Sequence, residues 1–281
     1  MAQQKEKAPF IKVPTDKTGG FQTMPTDSSR RLSDKQVRIE LCTEADAEEI
    51  AEGLYLCFPP SWWATKEPPE LRPPHTTRIR RMAKRLTPAL RPALSPHTHF
   101  VKAVLVATGE MVGLVCWTGP GNPGIHCALA RSAVAYYGWQ AKMGWSDEEV
   151  AEMWSHVSDE GWNGVIGKND EVRRGVFGAE PHWFLAPLMT WPDYQGRGIG
   201  SRLLKWAIDQ ADQTDPVTPL YLESAPSARP VYMHYGFVPL GEYNMVRRGP
   251  AIVRGLEADE EKEGQEWAQE RKVDADEERV N

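Results

Sequence analysis

Along this chain the spacing of apolar and polar positions changes several times, and each change marks an element. Val37-Arg38-Ile39-Glu40-Leu41 alternates apolar and polar, the period of a half-buried strand. Thr43 followed by Asp46 resembles a capping box with Asp in place of Glu, and opens a helix. Ala47, Ile50, Ala51, Leu54 and Phe58 then recur at helical spacing until Pro59-Pro60 ends the run. His99 to Val106 and Met111 to Trp117 are two β-rich runs around Thr108-Gly109-Glu110, which predicts a hairpin. Ala128 to Met143 and Asp147 to Val157 read as helices, the second with Ser146 as N-cap and three acidic residues in its first turn.

Further on, His182 to Thr190 is almost continuously apolar, as a strand buried on both faces should be. A glycine-rich loop separates it from a helical run, Ile199 to Ala211, with Leu203, Leu204, Trp206, Ala207 and Ala211 as packing positions. Pro219 to Glu223 predicts another strand, and Ala228 to Tyr235 a short helix ending at Gly236. Phe237 to Leu240 and Tyr243 to Val253 complete the set as strands. No internal repeat appears.

These elements divide the chain. Residues 1–35 lack periodicity and read as a flexible lead-in. Residues 36–255 read as one domain, interrupted twice: by a Pro- and Arg-rich stretch, 59–98, holding one short basic helix (Thr76 to Leu86), and by an aromatic-rich insertion, 119–180. The insertion carries Tyr136, Tyr137, Trp139, Trp145, Trp154 and Trp162. Two readings stay open for these rings: core filling, or the wall of an acceptor pocket, since long insertions are often functional. Residues 256–281 are an acidic tail.

Composition narrows the function classes. The 281 residues are 41% hydrophobic and 26% charged, ordinary for a globular protein. The net charge of −6 argues against a general nucleic-acid binder. From Glu257 onward there are 11 acidic and 4 basic residues, a net of −7, so the remainder stands near +1. The acidity therefore belongs to the tail and says little about a site. Four cysteines with neither a C-x-x-C pair nor metal-ligand spacing to the seven histidines point to free thiols, no metal and a reducing intracellular, cytoplasmic compartment. No apolar run reaches membrane-spanning length.

The loop Gln195-Gly196-Arg197-Gly198-Ile199-Gly200 carries the chemistry. Glycines let a backbone approach a ligand closely, and the unpaired amides at a helix N-terminus bind anions with help from the dipole. A strand running through such a loop into a helix is a phosphate cradle, with Arg197 and Arg202 as possible added charge. A nucleotide P-loop is excluded because Ser201-Arg202 stands where Lys-Ser/Thr is required. A dinucleotide loop is excluded because the glycines are spaced G-x-G-x-G. A plain glycine-rich turn remains the bland alternative.

Thr190 to Leu204, around Gln195-Gly196-Arg197-Gly198-Ile199-Gly200-Ser201, resembles the acetyl-CoA motif Gln/Arg-x-x-Gly-x-Gly/Ala of the GNAT superfamily of N-acetyltransferases. Downstream, Ala228 and then Tyr232-Met233-His234-Tyr235-Gly236-Phe237 resembles the same family's Tyr-x-x-x-Gly-Phe element. The likeness is firm from His182 to Leu240. It implies an α+β fold: a mixed, mostly antiparallel central sheet with flanking helices, in which parallel strands 182–190 and 219–223 splay at the cofactor site. It implies acetyl-CoA as co-substrate, with Gln195, Gly196, Arg197, Gly198, Ile199, Gly200 and Ser201 at its pyrophosphate. Backbone groups of Leu188, Met189 and Thr190 would hold the pantetheine and polarise the acetyl carbonyl as an oxyanion hole does.

The implied reaction is direct attack by an amine through a tetrahedral intermediate. Tyr232 matches the family's usual general acid. For the base we choose Glu223, at the end of the second splayed strand, with His182 and His234 as alternatives. The sequence departs from the family at Ala225, where many members place an Asn against the cofactor; Ser224 beside it is the candidate substitute. The expected partner is a small-molecule amine, with no nucleic acid and no membrane. The alternatives are a protein or peptide N-acetyltransferase, and a non-catalytic acyl-CoA-binding module.

Overall fold

The hairpin sets the frame. The computed structural model describes residues 12–14, 21–23, 28–122, 126–225 and 228–250. Two short strands, β1 (Lys12–Pro14) and β2 (Phe21–Thr23), pair with each other. The main sheet grows from β4 (Thr98–Leu105) and β5 (Met111–Thr118), antiparallel around the predicted turn. β3 (Val37–Leu41) adds on one side and β6 (Trp183–Thr190) on the other. β7 (Leu220–Glu223) is parallel to β6, and β8 (Val238–Pro239) and β9 (Asn244–Arg247) give the order β3-β4-β5-β6-β7-β9-β8. One parallel pair in seven strands makes the fold the expected α+β type, with a mixed, mostly antiparallel sheet.

Strand alternation sends side chains to two faces. On one face Trp117, Trp183, Leu185, Leu220 and Leu222 meet the apolar stripe of α8 (Ile199–Asp212), namely Leu203, Leu204, Ala207, Ile208 and Ala211. The short α9 (Arg229–Met233) closes this layer and ends at Gly236, whose φ is 89°. On the opposite face α1 (Ala47–Cys57) and α3 (His75–Leu86) set Ile50, Leu54, Ile79, Met82 and Leu86 against Phe100, Leu114, Cys116 and Met189. The Thr43–Asp46 box forms as expected, the Thr43 amide donating to Asp46 at 2.7 Å.

Three helical expectations change. Pro59-Pro60 does end α1, but Pro60 occupies the first turn of a new helix, α2 (Pro60–Lys66), where its missing N–H and fixed φ are harmless. The helix expected over Ala128 to Met143 is two, α4 (Ala133–Tyr136) and α5 (Trp139–Met143), because Gly138 adopts φ 65° between them. After α6 (Asp147–Trp154), capped by Ser146, the chain makes a π-helical turn at Asp159–Gly164 and enters α7 (Val165–Phe177). Its glycines and weak periodicity hid this helix in the sequence.

The two interruptions fold onto each other. The guanidinium of buried Arg85 lies 4.5 Å from the Trp154 ring and 5.7 Å from the Trp162 ring. Beside them Glu67, wholly buried, accepts from Tyr55 at 2.8 Å and from Arg78 at 2.6 Å, with His156 at 3.6 Å. Burial alone would raise the Glu67 carboxyl, but His156, Tyr55 and Arg78 together hold it below the usual range. Most rings of 119–180 are core: Trp139, Trp154 and Trp162 are buried, while Tyr136 stands exposed.

Candidate active site

The site begins where the parallel pair stops. β6 and β7 are in register only over Trp183–Leu185 and Leu220–Leu222. At that point the β5–β6 register also shifts, so that Ala186 and Pro187 together stand opposite Cys116. Such a bulge bends its strand, and Pro187 has no N–H to offer a neighbour. Beyond it Val115, Leu114 and Gly113 pair with Leu188, Met189 and Thr190. The Trp191 amide donates to the Val112 carbonyl at 3.1 Å, which fixes the alternation of this antiparallel ladder. Met189 therefore turns its backbone groups to β5, whereas those of Leu188 and Thr190 face the gap left by β7.

The glycine loop continues from this half-free strand. Gly196 and Gly198 have φ of 70° and 80°, a region where a side chain is strained. Gly198 is the N-cap of α8, and the first helical bond runs from the Arg202 amide to the Gly198 carbonyl at 3.3 Å. The amides ahead of it lack intrahelical partners, so the loop offers N–H donors where the helix dipole is positive. Gln195 ties the loop down through its side-chain amide, which donates to the Thr190 carbonyl at 3.2 Å. Arg197 lies over the Tyr194 ring at 5.3 Å. Arg202, offered by the sequence as added charge, is occupied otherwise: it pairs with Asp34 at 2.5 Å and donates to the Leu32 carbonyl. Residues 28–35, placed by the sequence in a lead-in, lie against this loop; the rest of that lead-in apart from β1 and β2, and the tail 256–281, fall outside the described residues.

Glu223 is the first β7 residue past the paired segment. It shares the face of Tyr221, away from α8, and its Oε1 is buried without a hydrogen-bond partner among the described residues. Burial pushes this carboxyl up to about 7; Arg173 and a hydrogen bond from Tyr221 oppose that rise, and Asp170 adds to it. Asp170 and Arg173 belong to α7, are buried, and pair at 2.8 Å. Arg173 also lies 4.1 Å over the Phe184 ring, and the Asn244 side chain donates to the Tyr221 hydroxyl at 2.6 Å. The sequence reading missed this pair of charges because the helix presenting them was itself unreadable. An acid and a base three residues apart, Asp170 and Arg173, were the signal available in the sequence.

Tyr232 projects from α9 into the α8-side core, 5.9 Å from Phe237, and burial pushes its phenol up to about 12. Of the alternative bases, His182 precedes the paired end of β6, stacks on Phe177 at 4.0 Å and bonds the Glu180 carbonyl at 2.8 Å. It stands at the wrong end of the strand. His234 is lowered by burial and by the Arg31 charge. The Ser224 hydroxyl donates to the Ala225 carbonyl at 2.8 Å, so it is engaged within its own turn.

On the helical face, α1 reaches the same strand end: Cys57 Sγ lies 3.5 Å from the Thr190 carbonyl. A Cβ on Gly53 would stand 2.5 Å from the Trp191 ring, so only glycine admits that indole. Beside it opens a cleft of about 430 Å³ lined by Glu49, Glu52, Tyr55, His75, Glu110 and Trp191, among others. Among the described residues no helix is long and apolar enough to cross a membrane, and no group of three or more His, Cys, Asp or Glu is placed to hold a metal.

Comparison with known proteins bears on this geometry. Residues 133–253 match the family model described as the acetyltransferase (GNAT) domain. Among solved structures, the chain is similar to a Corynebacterium glutamicum protein described as histone acetyltransferase HPA2 and related acetyltransferase. That match has 21% identity and a TM-score of 0.45, covering 77% of this chain and 98% of that one. It is also similar to an N-acetyltransferase from Staphylococcus aureus Mu50 (13% identity, 74% and 99% covered, TM-score 0.45). A third is the mosquito arylalkylamine N-acetyltransferase like 5b (13%, 75% and 99%, 0.44). The family match spans both sequence motifs together with β6 and β7, so residues 133–253 are similar to an acetyltransferase (GNAT) domain.

Proposed function

We propose that the chain moves the acetyl group of acetyl-CoA to the amine of a small-molecule acceptor, by direct attack through a tetrahedral intermediate. The observation that carries this reading is the gap between β6 and β7. One of its walls runs into a loop of helix-N-terminal amides, and the other ends on a buried carboxylate with its pKa near 7. Gly196 and Gly198 add no side chain of their own where a diphosphate would lie against the amides of Gln195 to Ser201. In this reading backbone groups of Leu188 and Thr190 meet the pantetheine, and a Leu188 or Thr190 N–H polarises the thioester carbonyl in the gap.

Glu223 takes a proton from the acceptor ammonium or from the attacking amine. A base with pKa near the working pH combines availability with driving force. Tyr232, held protonated by burial, donates to the departing thiolate. The cleft at Trp191 supports a small organic acceptor: its volume suits a metabolite-sized ligand, its glutamates suit an amine cation, and the Trp191 indole lines it. The test is thiol release from acetyl-CoA across polyamines, amino acids, aromatic amines, aminoglycosides and basic peptides. Thiol release only with the peptides would replace the small-molecule reading. Neither thiol release nor any rise of melting temperature with acetyl-CoA would sink the donor assignment.

A further inference from the structure

Residues 30–34 lie across the glycine loop, outside the family match that begins at residue 133. Leu32 anchors them: its amide donates to the Arg197 carbonyl at 3.1 Å, and its side chain packs against the α8-side core. From the helix, Arg202 grips the Leu32 carbonyl and pairs with Asp34 at 2.5 Å. This seat carries the Arg30 guanidinium to 3.8–3.9 Å from the point where a Cβ on Gly196 would lie. It carries the Arg31 methylenes to 3.4–3.9 Å from the same point on Gly198.

The charge arrangement is odd for a site with nothing to bind. Arg30, Arg31, Arg197 and Arg202 gather at the N-terminus of a 14-residue helix, the positive end of its dipole, where cations are disfavoured. Asp34 answers Arg202. The Arg30 guanidinium stands instead over Gly196, and the Arg31 methylenes over Gly198, the two left-handed glycines of the loop. An anion between guanidinium and amide would satisfy both, and phosphate does so with charge-assisted hydrogen bonds.

We propose that residues 30–34 form a strap over the donor site, in which Arg30 and Arg31 add side-chain charge to the phosphates of acyl-CoA that the loop holds through its amides. This rests on the reading of Gln195 to Ser201 as the diphosphate loop. The strap is a part of the donor site supplied from more than 160 residues upstream, and Arg202 acts on the donor indirectly, by seating it.

The test compares coenzyme A binding with turnover of two donors, acetyl-CoA and S-acetylpantetheine, which lacks the diphosphate and the 3′-phosphate. In the double variant Arg30→Ala/Arg31→Ala the Kd for coenzyme A should rise about tenfold. The KM for acetyl-CoA should rise with it at unchanged kcat, while kcat/KM for S-acetylpantetheine stays at the wild-type value. Arg30→Lys/Arg31→Lys should recover most of the affinity. An equal loss on both donors would mark the arginines as structural and overturn the strap. Wild-type binding of coenzyme A that the double variant matches overturns the strap alone. A wild type that does not bind coenzyme A removes the loop reading and the strap together.

Discussion

The two faces of the sheet are built from different kinds of sequence. The α8 face is made of local signals that agree with one another: a continuous apolar strand, a glycine loop, an amphipathic helix and a Gly-terminated short helix. Each is legible in a window of about fifteen residues. The opposite face is assembled from segments far apart in the chain, α1 to α3 and α4 to α7, which meet through polar pairs such as Arg81 with Ser155 and Lys84 with Glu149. Glu67 needs Tyr55, Arg78 and His156, and Arg85 needs two tryptophans of the other segment. In the proposed reaction the α8 face takes the donor, and the opposite face, assigned to the acceptor, is the one whose structure depends on long-range pairing.

The sharpest test of that division is at Glu223, on the face away from α8 but at the edge of the gap proposed for the donor. Glu223→Gln should lower kcat/KM about 10³-fold near pH 8. In the wild type kcat/KM should fall as pH falls through about 7, because the base is then protonated; the variant should lack that limb. Stability should move the other way. The folded carboxyl binds its proton more tightly than the unfolded one, so wild-type stability declines as pH rises from about 4.5 to about 7. The variant should therefore melt higher than wild type at pH 8 and lose that advantage by pH 4.5. A variant that is both active and less stable at pH 8 would remove Glu223 from the mechanism.

Next in size is a test confined to the helical face. Glu67→Ala strips the buried partner from Arg78, Tyr55 and His156 and should cost about 3–4 kcal/mol of stability, since it leaves a buried charge uncompensated. Urea unfolding measures it, and a loss under about 1 kcal/mol would mean that water replaces the carboxylate. Acetyl-CoA affinity, a property of the other face, should hold in the fraction that stays folded. Tyr232→Phe makes the complementary change on the α8 side. Turnover should fall about 10²-fold with donor affinity and melting temperature nearly unchanged, and full turnover would assign the acid elsewhere.

How far each region was legible follows from the same contrast. β6, the loop, α8, β7 and α9 stand where periodicity and motif put them, because strand burial, helix-cap chemistry and left-handed glycines are local requirements. α7 escaped notice since Gly167 and Gly175 dilute its periodicity, and its reason for being helical lies in what it carries: Asp170, Arg173 and Phe177 against β6 and β7. The helix break at Gly138 was visible only as a glycine inside an apolar run. The seat of Leu32 on the loop could not be read at all, because nothing local to residues 28–35 encodes a partner 168 positions away.

The smallest effect separates the glycines of the two faces. Gly198 has φ 80°, and a Cβ there would lie 3.4 Å from an Arg31 methylene carbon, whereas Gly167 and Gly175 sit in α7 with nothing within 4 Å of theirs. Glycine inside a helix costs about 0.5–1 kcal/mol relative to alanine, chiefly through unfolded-state entropy. Gly167→Ala and Gly175→Ala should each stabilise by that amount without touching turnover. Gly198→Ala should cost about 1–2 kcal/mol from the left-handed backbone alone and raise the KM for acetyl-CoA as well. The same one-carbon addition is thus expected to change sign between the faces. If Gly175→Ala were destabilising, the helical face would need that glycine for a close approach of its own, by an acceptor or a partner, and the insertion would have to be read as part of the site.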